Sequence, residues 1–133
     1  MEELLRPALL DWLRTDPALG DVTAIEEEVP ARATPPWLAV VASASADWST
    51  KDRVGREVRL AIELHSRADD PRADAPLVSA LDRRIEAFPK AQDGLEIASI
   101  RFLRARTERR ANNARATLLE YRFRCLAALP ENP

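Results

Sequence analysis

One histidine, one cysteine and a run of three glutamates are the residues best suited by type to chemistry in this 133-residue chain. None has the company that would put it to work. His65 follows Glu63 and precedes Arg67 on the polar side of EVRLAIELHSR, which reads as a solvated or interface imidazole rather than a general base. Cys125 shares the apolar parity of Tyr121 and Phe123, so it reads as a small buried hydrophobe rather than a nucleophile. Glu26–Glu28 are consecutive, and adjacent carboxylates on a strand point to opposite faces, so they form an acidic surface rather than a cation site. The three glycines, Gly20, Gly55 and Gly94, are too far apart for a phosphate loop, and neither G-x-S-x-G nor H-E-x-x-H occurs. A single cysteine excludes an internal disulfide and a multi-cysteine metal site. The expectation is a protein that binds rather than catalyses, with no metal and no cofactor.

Arginine is the remaining chemical signal, outnumbering lysine 18 to 2. Residues 1–50 hold nine acids against three bases, whereas residues 101–133 hold three acids against eight bases. Two surfaces of opposite sign in one chain suit head-to-tail contacts between copies, which close into rings when the rotation allows. Arg101, Arg104 and Arg106 on one strand, with Arg122 and Arg124 on the next, form a possible basic patch for an interface or a lumen. A dedicated nucleic-acid-binding module is the alternative of a different class. The pI of about 5.5 and an aromatic content of 5% supply neither the charge nor the stacking platform such a module needs.

The elements that must position these groups are legible from periodicity. EELLRPALLDWLRT sets Leu5, Ala8, Leu9, Trp12 and Leu13 on one helical stripe, with Pro7 either starting or kinking the helix. VTAIEEEV reads as a short strand and PARATPP as a loop. WLAVVASASA (37–46) and EVRLAIELHSR follow as strands, the second alternating Val58, Leu60, Ile62 and Leu64 against polar neighbours. DDPRADAP breaks the chain, Asp74 is placed to cap, and LVSALDRRIEAF is an amphipathic helix with Asp82, Arg83 and Glu86 outside. AQDG reads as a turn, and two long strands close the chain around RRANNAR. The expected fold is a single α+β domain over 1–133, in the order α-β-β-β-α-β-β. Its antiparallel sheet has four to five strands, with both helices on one face. No apolar run is long enough to span a membrane, and the acidic N-terminus does not resemble an export signal.

Between the second and third expected strands lies ADWSTKDRVG (46–55), twice what a tight hairpin needs. This stretch carries a resemblance. VPARATPPWLAVVASASADWSTKD (29–52), the link into REVRLAIELHSRA (56–68), and the pairing of SIRFLRARTERR with ATLLEYRFRCLA together resemble the tail-completion or tail-terminator proteins of long-tailed phages and bacterial gene transfer agents. The resemblance covers about residues 3 to 128, and D-W-S-T-K at Asp47–Lys51 is its most specific piece.

The resemblance implies a virion structural protein of the phage-like particle's neck, assembled in the bacterial cytoplasm. It implies a homo-oligomeric ring, commonly hexameric, that ends the tail tube and joins it to the head-side stopper or connector. DNA would pass through the lumen without sequence-specific contact, and no membrane is involved. A neighbouring stopper or adaptor is the close alternative. On this reading 46–55 is an arm toward another subunit, with Asp47, Trp48, Ser49, Thr50, Lys51, Arg53 and Arg56 as its interface and Trp48 as the anchor.

Overall fold

The computed structural model describes residues 1–129 except 69 and 71. Asp69 and Pro71, part of the break expected after the long strand, and residues 130–133 of the expected domain lie outside the described residues.

The chain opens with helix α1 (Glu2–Arg14), which runs straight through the Pro7 position, so the helix does not start at the proline. Leu5, Leu9, Leu10 and Leu13 are buried on one side, at the i, i+4, i+8 spacing that puts side chains on one face. A short 3-10 turn (Pro17–Leu19) follows, capped by Asp16, whose carboxylate accepts from the Ala18 N–H at 3.0 Å. Four strands come next in sequence, although not all side by side in space: β1 (Ile25–Glu26), β2 (Trp37–Asp47), β3 (Gly55–Arg67) and, past helix α2 (Ala75–Glu86), the two-residue β4 (Ala91–Gln92). Two long strands, β5 (Leu95–Arg109) and β6 (Ala114–Ala127), complete the chain.

These strands form one curled, mixed sheet of six, ordered β1-β2-β3-β6-β5-β4. The fold is α+β, as the alternation predicts, but two details differ. The sheet has six strands rather than four to five, because β4 folds back on the start of β5 around Gly94 (φ 75°), where only a glycine is comfortable. That segment pairs Ala91 with Glu96 and Gln92 with Leu95, where the sequence suggested a turn alone. The sheet is also not wholly antiparallel. The proline-rich segment 27–36 returns the chain so that β1 lies parallel to β2, matching Ile25 to Leu38 and Glu26 to Ala39.

One core joins α1, α2 and one sheet face. Val58, Leu60, Ile62 and Leu64 of β3 meet Leu119, Tyr121, Phe123 and Cys125 of β6, with Leu81 and Ile85 of α2 above. Both helices therefore sit on the same face, as expected from the period-2 strands. The helices are locked to each other: Trp12 Nε1 donates to the Arg84 carbonyl at 2.7 Å, while the Arg84 guanidinium lies 3.3 Å above the Trp12 ring.

Two polar expectations for α2 change. Asp74 occupies the cap position, but its carboxylate accepts from Ser66 Oγ rather than from the helix backbone. Asp82, expected outside, turns inward to accept the hydroxyl of Tyr121, which is fully buried. A buried phenol needs that partner, and the alternation pattern carries no trace of it.

Candidate assembly interface

The β2–β3 connection is Trp48–Val54, seven residues, because Ala46 and Asp47 extend β2 while Gly55 and Arg56 begin β3. The arm-like loop of the sequence reading is therefore a shorter, hydrogen-bonded turn. The Trp48 N–H donates to the Gly55 carbonyl at 2.9 Å, and the Thr50 N–H donates to the Arg53 carbonyl at 2.9 Å. Side chains that compete for backbone partners stiffen it. Ser49 Oγ donates to Asp47 at 2.7 Å and accepts from the Gly55 N–H at 3.0 Å, and Thr50 Oγ1 accepts from the Arg53 N–H at 3.0 Å.

The residues singled out there divide into two groups. Arg53 is committed to its own chain, donating through Nε and a terminal nitrogen to the Ala127 carbonyl and pairing with Glu96 at 2.9 Å. Arg56 reaches toward Glu2 of α1, at 3.6 Å. Trp48 is half-buried, with the Arg124 guanidinium 5.5 Å from its ring centroid. Ser49, Thr50 and Lys51 are exposed at the tip. Gly55 is required by the close approach of backbone: a β-carbon there would stand 2.4 Å from the Trp48 carbonyl oxygen.

The basic patch is brought together on the sheet face opposite the helices. Arg122 of β6 lies directly across from Arg59 of β3 on one side and Arg101 of β5 on the other, making a row of three guanidiniums over three strands. Arg59 was not among the residues picked out by sequence, since only the strand register reveals it. Arg122 itself and the members outside that row are partly neutralised. Arg104 Nε donates to Glu120 at 2.7 Å, Arg106 pairs with Glu108 at 3.1 Å, and Glu57 lies 3.3 Å from Arg122 and 3.7 Å from Arg124. Neither Arg59 nor Arg101 has a carboxylate in reach among the described residues.

The groups first considered for chemistry have structural company. The His65 ring stacks on Trp37 with centroids 3.8 Å apart, its Nε2 meets the Glu63 carboxylate, and it is half-buried rather than solvated. Cys125 is fully buried, and burial pushes its thiol up to about 11. Glu26 and Glu27 are paired with Arg14 at 3.5 Å and Arg6 at 3.1 Å. The described residues hold no group of three or more metal-ligating side chains, and no described helix is long and apolar enough to cross a membrane.

What this geometry offers is a binding face: a rigid turn at one end of the sheet and a cationic row across its middle. Residues 7–126 match the family model described as Tail completion protein gp17, and the chain belongs to that family. It is a family of structural tail-completion proteins, not of enzymes. Among solved structures, the fold is similar to that of a chain from the virion of a native gene transfer agent particle. The TM-score is 0.81 at 20% identity, over 95% of this chain and 97% of that one. A second solved chain shares the fold more loosely, with a TM-score of 0.53 at 14% identity over 98% and 99% of the two chains. No curated protein is similar enough in sequence to count as a match.

Proposed function

We propose that this chain forms a ring, of about six copies, that terminates the tail tube and joins it to the head-side connector of a phage-like or gene-transfer-agent particle. Its place is then the neck, its partners are the tail tube protein and the head-side stopper, and it is assembled in the bacterial cytoplasm. The family match over 7–126 is the observation that carries this reading. It is supported by the division of charge between the two ends of the sequence and by the arginine row on the face away from the helices. In a ring, that row suits transient contact with the phosphates of DNA passing through, which needs charge but no base readout.

The turn at Asp47–Arg56 supplies the contact to a neighbouring subunit or ring, with Trp48 as its apolar anchor and Lys51 on its rim. Arg53 and Arg56 hold the turn in shape. Tail tubes growing in vitro should stop lengthening when the purified chain is added, and stopped tubes should acquire the ability to join heads. Tubes that continue to grow at saturating chain would count against termination. If tube growth stops but heads still do not join, the joining half of the proposal fails. Trp48→Ala should weaken the effect while leaving the monomer folded.

A further inference from the structure

Two long sheet edges are left open, and their chemistry differs. On one side, β1 covers only Leu38 and Ala39 of β2, so Val40–Asp47 has no strand beside it among the described residues. On the other, β4 covers only Leu95 and Glu96 of β5, and the Ile97 N–H reaches Lys90, which leaves 98–109 uncovered. Soluble proteins guard such edges with charge, proline or very short strands. The edge of β5 carries Arg101, Arg104, Arg106 and Arg109, all exposed. The edge of β2 carries neither charge nor proline from Val40 to Ala46, and Val41–Asp47 is exposed. A bulge at Val41 is its one irregularity.

From these edges we infer that the open edge of β2 receives the open edge of β5 from a second copy of this chain, continuing the sheet from subunit to subunit. Charge complementarity selects β5 as the occupant. A groove of about 410 Å³ runs along the β2 edge, lined by Val40–Ser43 together with Glu27, Glu28 and Arg6, and Asp47 closes the far end of the strand. Strand sense agrees. Successive antiparallel pairs β2-β3, β3-β6 and β6-β5 make β5 run opposite to β2. A copy turned about an axis along the strands therefore meets this edge antiparallel, the more stable arrangement. A contact between two different surfaces propagates head to tail rather than stopping at a dimer, and closes a ring when the rotation between copies allows. The inference rests on the ring reading above and supplies its subunit interface.

The test uses native mass spectrometry of the full chain, alone and on tail tubes, with two variants. Ala44→Lys/Ala46→Lys puts charge on the β2 edge. Arg101→Glu/Arg109→Glu reverses β5, and its new carboxylates face Arg122 and Arg115 across the strand pair, which keeps the monomer intact. Thermal unfolding checks that both fold. Each variant alone should assemble on the order of tenfold or more weakly than wild type. Mixed, they should assemble again in one-to-one proportion, because each retains the edge that the other lacks and the two altered edges carry opposite charges. Dimers of the β5 variant alone would instead indicate β2 against β2 and overturn the inference. Rings unaffected by either variant would overturn it while leaving the ring itself standing. A wild type that stays monomeric even on tubes would remove the ring reading and this interface together.

Discussion

At the scale of single residues, what holds the candidate interface in shape is backbone crowding and burial. Gly55 sits where a β-carbon would strike the Trp48 carbonyl at 2.4 Å and the Cys125 carbonyl at 2.9 Å, both fixed backbone atoms. Gly55→Ala is expected to destabilise the chain by about 1–3 kcal/mol, as overpacking does, read as a lower denaturant midpoint at unchanged slope. Cys125 gives a pH signature. Burial raises its thiol from the ordinary 9.0 to about 11, so the fold keeps a proton that the unfolded chain gives up. Stability from this group is complete below about pH 9 and falls as pH rises from there toward 11. Thermal unfolding followed between pH 8 and 10 should show that fall, and Cys125→Ala should flatten it; an identical slope in the variant would assign the loss to other groups. The sequence suggested both the burial of Cys125 and the inertness of His65 from parity alone. It gave no sign of the Trp37 stack on His65, because that pairing depends on the β2–β3 register.

At the scale of elements, alternation and helical spacing were enough to place α1, α2 and the four long strands close to their observed bounds. Of the short elements, β1 falls inside VTAIEEEV, read as a short strand, whereas β4 was not legible, for a physical reason. A two-residue strand such as β4 has no periodicity of its own; it exists because the edge of β5 is available and the turn at Gly94 delivers the chain to it. The inward turn of Asp82 escaped notice in the same way, since a helix pattern ranks it by charge and not by what lies beneath. That contact is testable. Tyr121 is buried and its hydroxyl donates to Asp82, with burial first and this bond second in holding the phenol well above its usual range. Tyr121→Phe removes the donor and leaves the carboxylate short of a partner, so a loss of about 1–3 kcal/mol is expected in denaturant unfolding. A neutral result would mean water satisfies Asp82 equally well. The turn between β2 and β3 was legible as an interruption but not as a structure: its ten residues contain three that finish or start strands, and its hydroxyls bond the backbone that looked free.

At the scale of the whole molecule, the charge asymmetry seen in the sequence is distributed across the sheet. Basic residues gather on β5 and β6, and acidic ones beside the free edge of β2. A domain so divided, with two uncovered strand edges, is suited to neighbours of its own kind, and its family supplies the setting in which such neighbours meet. The central claim is that copies of this chain form a closed ring at the end of a tail tube. The measurement that tests it most directly is rotationally averaged electron microscopy of tail tubes after incubation with the purified chain. The account predicts a closed ring of about six copies at one end of each tube and none along the wall. Chains scattered along the wall, or tube ends that stay bare at saturating protein, would contradict it.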